Sequence, residues 1–275
     1  MMIKKLALVV ALTIPIQSLS EEYKTVYEDV SSYKKGEPDW YQDHRLNKAY
    51  IEQSKVKLSV FLEAWSEIST SHTTHQKSEF PKVFRHAYEI FEDFYQPHNL
   101  ERIGDPEWGT KQFSKVSYFV VQSKVNVIVT NNLVKDKFGN NSSPTILDAT
   151  MNNFRPQIKG NIKALFLDDY HSLIIDKFLG QEEIPAGHAG IMSTSKAVGE
   201  SQKRQDFLNQ FLKIYHGHWG GWILETDPTV TKINFNKKYD RAVVYFSLVY
   251  EGGEAVYERK NNKWVLIKSE LTWIT

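Results

Sequence analysis

The stretch from Arg241 to Ile274, RAVVYFSLVYEGGEAVYERKNNKWVLIKSELTWI, constrains the fold more than any other part of the chain. Ala242, Val244, Phe246, Leu248 and Tyr250 recur at every second position, the period of a strand with one buried face. EGGE reads as a turn, AVYERK as the returning strand, NNK as a second turn, and WVLIKSELTWI as the strand that closes the sheet. An antiparallel meander of this kind has an apolar face that must be covered, and the amphipathic segments ahead of it are the covering elements at hand. The predicted class is α+β, with helices packed on an antiparallel sheet.

Those segments carry a helical period. Leu46, Tyr50, Leu58, Phe61, Trp65 and Ile68 fit one stripe, and Phe84, Ala87, Tyr88, Phe91, Phe94 and Tyr95 fit a second, opened near Pro81 and ended before Pro97. Glu89, Glu92 and Asp93 lie on the opposite side of that second helix, as a solvated face does. KVSYFVVQSKVNVIVT is apolar on both faces of an alternating pattern, as a central strand or strand pair would be. NIKALFL is a further short strand. Asp168 or Asp169 then caps a helix, YHSLIIDKFLG, that stops at Gly180. Phe207, Leu208, Phe211, Leu212 and Tyr215 give a last helix, stopped by Gly217. The Gly- and Pro-bearing segment GQEEIPAGHAGIMSTS divides the expected organisation into an α+β region at 21–180 and a helix-plus-meander unit at 181–275.

The helix and meander of residues 196–275 resemble the cystatin-like roll shared by the nuclear-transport-factor and ketosteroid-isomerase families. The likeness lies in the strand arrangement and its Trp-containing closing pair. It implies a C-terminal cystatin-like roll with a cone-shaped pocket between helix and curled sheet, used in such families for small ligands, catalysis or dimer contacts. It assigns no activity, because function belongs to the site and not to the fold. The Gln-x-Val-x-Gly loop of the cystatin inhibitors is missing: after Gln122 the chain runs Ser-Lys-Val.

Residues 1–20, MMIKKLALVVALTIPIQSLS, read as an export signal. Lys4 and Lys5 precede an apolar stretch from Leu6 to Ile16, and Ser18 and Ser20 are the small residues before a cut. The stretch is too short to span a bilayer, and no later one is long and apolar enough. The expected mature chain begins at Glu21 and is periplasmic or extracellular. It has no cysteine, which excludes disulfides, thiol catalysis, cysteine–zinc sites and a lipoprotein anchor. Without Lys4 and Lys5, 32 basic residues face 33 acidic ones, so the chain as a whole lacks the positive excess that draws nucleic acid or anionic lipid.

The densest chemistry is HGHWGGW, residues 216–222. His216 and His218 form a His-x-His pair that binds metal on a strand, but the glycines around it argue against an extended strand and no third ligand is nearby, so no metal is expected. Trp219 and Trp222 follow the helix stop. Trp222 is expected to plug the core, and Trp219 to lie nearer a pocket mouth, where a flat ring stacks on a ligand. His216, His218, Trp219 and Trp222 are therefore the candidate ligand-binding residues.

Ser-x-x-Lys recurs at Ser32/Lys35, Ser54/Lys57 and Ser193/Lys196 without the Lys-Thr-Gly of penicillin-recognising enzymes. The chain also lacks Gly-x-Ser-x-Gly, His-Glu-x-x-His, a phosphate-binding loop and a dinucleotide fingerprint. The leading expectation is an exported, non-catalytic protein without cofactor, binding a small ligand or a protein partner through a helix–sheet pocket. A second reading is a pocket hydrolase or isomerase with acid–base groups drawn from His188, His216, His218, Asp168 and Asp169. A third is an assembly protein that forms a homodimer through its sheet.

Overall fold

The computed structural model of the protein describes residues 40–71, 80–104, 113, 116–133, 143–180, 195–217 and 221–274. The expected export signal, the arm that follows it and most of the 181–196 segment lie outside these residues. The described chain is α+β, as the periodicities require, and residues 40–275 make up a single compact unit.

The first apolar stripe is two helices, α1 (Trp40–Ile51) and α2 (Lys55–Ser71), rather than one. Gln53 takes a left-handed φ of 48° and its amide donates to Tyr50 O, while Ser54 Oγ accepts the Lys57 N–H and opens α2. The second stripe is α3 (Lys82–Phe94), preceded by Pro81 and buried along Val83, Ala87, Tyr88, Ile90, Phe91 and Phe94.

The stretch that is apolar on both faces is a pair of strands, β1 (Tyr118–Gln122) and β2 (Val125–Thr130), which break at Ser123–Lys124 and enter different sheets. β3 (Thr145–Met151) follows, and then β4 (Lys163–Leu167), which pairs parallel with β1 as a two-stranded ribbon. Asp168 is the N-cap of α4 (Asp169–Leu179), accepting the His171 N–H at 2.9 Å, and Gly180 ends the helix in the left-handed region.

The last helix, α5 (Ser195–Leu208), stops well before Gly217. Asn209 ends it from the side: its Oδ1 accepts the Ile214 N–H at 2.7 Å, and its Nδ2 and the Gln205 Nε2 both donate to Ile214 O. The chain then forms a short hairpin, β5 (Tyr215–His216) and β6 (Trp222–Ile223), before β7 (Thr229–Asn236), β8 (Arg241–Leu248), β9 (Glu251–Lys260) and β10 (Lys263–Ile274).

The main sheet runs β10-β9-β8-β7-β2-β3 and is antiparallel except where β2 pairs parallel with β7. Strands from both sides of the expected boundary near residue 180 thus share one sheet. The meander is as read, with one change. EGGE lies within β9, not in a turn; the chain reverses at Val249–Tyr250, and a Cβ on Gly252 would meet the Trp273 ring at 2.0 Å. The glycine is there so that a cross-strand ring can lie against the backbone. NNK is a turn, with Asn261 and Asn262 both at positive φ (51° and 62°), the signature of a tight hairpin.

The β1–β4 ribbon separates two cores. Phe119, Val121, Ala164 and Phe166 face α3 and the main sheet, whereas Tyr118, Val120 and Leu165 face α1, α2, α4 and α5. All five residues of β1 are accordingly buried. The helix laid against the meander is α3; Phe207 and Leu208 of α5, expected there, belong to the other core. Two polar side chains tie the ribbon to the main sheet. Thr226 exchanges hydrogen bonds with both backbone groups of Val120, and the Gln122 amide does the same for Val230.

Candidate functional site

The described ends of HGHWGGW, His216–Gly217 and Gly221–Trp222, belong to the β5–β6 hairpin rather than to a helix end. Tyr215 pairs with Ile223 and His216 with Trp222, the Gly217 N–H reaches Gly221 O at 3.0 Å, and Gly221 supplies the left-handed turn residue at φ 94°. The His216 and Trp222 rings meet edge to face with centroids 4.9 Å apart. His216 is exposed, and Trp222 is half-buried against the helical core, so it is a rim residue and not a core plug. The Tyr250 hydroxyl donates to His216 O at 2.7 Å and anchors the hairpin to the β8–β9 turn. His218, Trp219 and His188 lie outside the described residues.

Acidic and phenolic groups gather beside this hairpin. Burial pushes the Glu225 carboxyl up, and the nearby Asp176 carboxylate adds to it; burial also raises Asp176. Burial raises the Tyr215 and Tyr95 hydroxyls, and the field of Asp227 raises both further. The Tyr95 hydroxyl donates to Thr226 O at 3.1 Å. Among the described residues no group of three His, Asp or Glu side chains is arranged to hold a metal ion.

Of the acid–base candidates, Asp169 is exposed and pairs with Lys124 at 2.6 Å. Asp168 is part of a constellation that sequence reasoning did not anticipate. Its Oδ1 is 2.7 Å from His171 Nδ1, and its Oδ2 accepts from Arg155 at 3.2 Å. Burial works to raise the Asp168 carboxyl, but His171 and Arg155 outweigh it and hold the group below the ordinary aspartate range. The His171 ring, 4% exposed, stacks on Trp65 at 4.6 Å and 5°. Trp65 Nε1 donates to Phe166 O at 3.0 Å, and the Arg155 guanidinium sits 4.9 Å from the centre of the Phe166 ring. An Asp–His pair orients an imidazole for proton transfer when the ring opens on a cleft. Here the ring is covered, and the carboxylate binds a cap N–H, an imidazole and a guanidinium. The group pins α4 to α2 and the ribbon.

Two further polar groups sit under α3. Asp93, read as part of a solvated face, accepts from Arg102 and, at 2.9 Å, from the buried Tyr257 hydroxyl. His86 Nδ1 lies 2.9 Å from Glu89 and 3.3 Å from the Trp264 indole N–H, while its Nε2 is buried without a partner. Burial lowers the His86 pKa in spite of Glu89. The three-residue spacings of Asp168 and His171 across a helix start, and of His86 and Glu89 on α3, were the local signals for these groups.

No known family model matches the chain, and neither a curated protein nor a solved structure gives a significant match. The functional reading therefore rests on the residues themselves.

Proposed function

We propose that the chain is an exported, non-catalytic binding protein whose ligand contacts centre on the His216–Trp222 hairpin. The observation that carries this reading is the exposed imidazole held edge-on to a half-buried indole, on a hairpin fixed from outside by Tyr250. Such a pair offers an apolar face with a polar rim, the composition of small-ligand contacts. The interior supports a rim site. Phe91, Phe94, Phe246 and Tyr257, each 1% exposed or less, fill the space between α3 and the sheet. The non-catalytic reading draws support from the acid–base pairs, since Asp168–His171 and Asp93–Tyr257 are bound to internal partners.

A fragment mixture screened by ligand-observed NMR tests the proposal, comparing wild type with Trp222→Ala and His216→Ala. Fragments that bind wild type and lose at least tenfold affinity in both variants support it. Binding that ignores both substitutions removes the hairpin as the site. Hydrolysis of p-nitrophenyl acetate that disappears in His171→Ala would replace the proposal with the hydrolase reading.

A further inference from the structure

The corner between α1 and α2 carries a surface that the fold does not use. Its inner stripe, Leu46, Ala49, Leu58, Phe61 and Leu62, is buried in the helical core. On the outside Ile51, Val56 and Val60 are 79%, 74% and 44% exposed. Val56 and Val60 stand one turn apart on α2, and β-branched residues on an exposed helix face weaken the helix without burying anything. A local choice that works against its own element points to a use outside the fold.

The charge balance around the patch is positive, three lysines against one acid. Lys48, Lys55 and Lys57 are all exposed, and the one acid in the turn, Glu52, is paired with Lys57. The turn is held in shape by the Gln53 amide and the Ser54 cap, so these side chains sit on a fixed tip. We infer that this corner docks the protein reversibly on an anionic phospholipid surface. Ile51, Val56 and Val60 enter the boundary between headgroups and acyl chains, and the lysines extend along it to the phosphates. Three aliphatic side chains expose roughly a few hundred Å², enough to mark a functional patch but well below the about 800 Å² per partner of a stable protein interface. A bilayer needs no such area. The chain as a whole has no positive excess, so the attraction comes from local groups, here the lysines of this tip, and acts only within about a Debye length. The inference does not depend on the hairpin reading.

The test is cosedimentation of the full chain with vesicles of equal phosphatidylglycerol and phosphatidylcholine, and with vesicles of phosphatidylcholine alone. Binding is expected on the anionic vesicles, at least tenfold weaker on the neutral ones, and weaker as salt rises. Lys55→Ala should cost about fivefold in partitioning, the equivalent of about 1 kcal/mol per lysine. Val56→Asp should abolish binding with an unchanged Tm, because the side chain it replaces is already exposed. No binding to anionic vesicles, equal binding to both kinds, or full binding by Val56→Asp each overturns the inference. So does a dimer in sedimentation velocity that Val56→Asp dissociates, which would put a second copy on the patch.

Discussion

Gln122→Leu is the substitution that most directly tests how the two sheets are joined. β2 pairs with β7 from Asn126 opposite Lys232 onward, so the ladder ends two residues short of Val230. The Gln122 side chain takes over there. Its Oε1 accepts the Val230 N–H at 2.6 Å, and its Nε2 donates to Val230 O and to Lys124 O, both at 2.7 Å. Leucine keeps the bulk and removes all three bonds. Lys124 O lies at an exposed residue and can turn to water, but Val230 is buried, so its N–H and C=O are left without partners. At about 1–3 kcal/mol for each orphaned group, the loss should be about 2–6 kcal/mol, a large part of the stability of one domain. Equilibrium urea unfolding measures it. Gln122→Glu is the sharper control: the carboxylate still accepts from the N–H but faces the carbonyl, so this variant should be weakest at neutral pH and recover on acidification, when the protonated acid can donate. A Gln122→Leu protein within about 0.5 kcal/mol of wild type would refute the reasoning, because it would mean that the ladder closes without the amide.

Other substitutions separate the remaining contributions. Burial raises the folded-state pKa of Glu225 above 4.5, so its contribution to stability is complete below that value and is lost as pH rises through the folded pKa; Glu225→Gln should be more stable than wild type at pH 7, with the difference closing toward pH 4.5 in thermal melts. His86 behaves in the opposite sense: its folded pKa is depressed below 6.5, so stability falls as pH drops from there through the folded value, and His86→Gln should lose that acid sensitivity while keeping the rest of the pH profile. Trp65→Ala should cost about 3–5 kcal/mol, since the ring is buried and its N–H bonded, whereas Trp222→Ala at the rim should cost clearly less; equal losses in urea would return Trp222 to the core.

The parts of the fold that could be read in advance are those whose signal is local. Alternation in β8, the Asn261–Asn262 turn, the two-sided burial of β1 and the buried stripe of α3 each follow from a period or a turn residue within a few positions. The helix of residues 46–68 was continuous in period only; the stripe carries across Gln53 and Ser54 because both flanking helices face the same core. β3 and β7 gave no clear local pattern: β3 is placed by β2 across the intervening segment, and β7, besides its hairpin with β8, by β2 from far earlier in the chain. Paired glycines usually punctuate, so EGGE read as a turn. Its cause is remote: Trp273, on the neighbouring strand, needs the space over Gly252.

The site was legible in kind and not in geometry. HGHWGGW drew attention by composition, yet its helix-end reading failed because the features that stop α5 and start the hairpin are side-chain amides. Gln205 and Asn209 capture the backbone of Ile214, as Gln122 captures Val230, and Asn236 Oδ1 accepts both the Asp240 and the Arg241 N–H. In a sequence these are ordinary polar residues. In the fold each binds backbone groups at a place where a strand or helix breaks off, and for Val230 and Ile214 the reason is that a buried backbone group cannot be left unpaired; Asn236 instead closes an exposed turn. The same demand explains the internal partners of the described acid–base groups. Asp168 is claimed by the start of α4, His171 by Trp65, and Asp93 by Arg102 and Tyr257. A chain without disulfides, with two cores divided by a two-stranded ribbon, uses its polar side chains to hold those parts together. Among the described residues, His216 and the lysine-flanked corner at Val56 are two of the places left exposed to meet a partner, beside the Val265, Ile267 and Trp273 side chains of the edge strand β10.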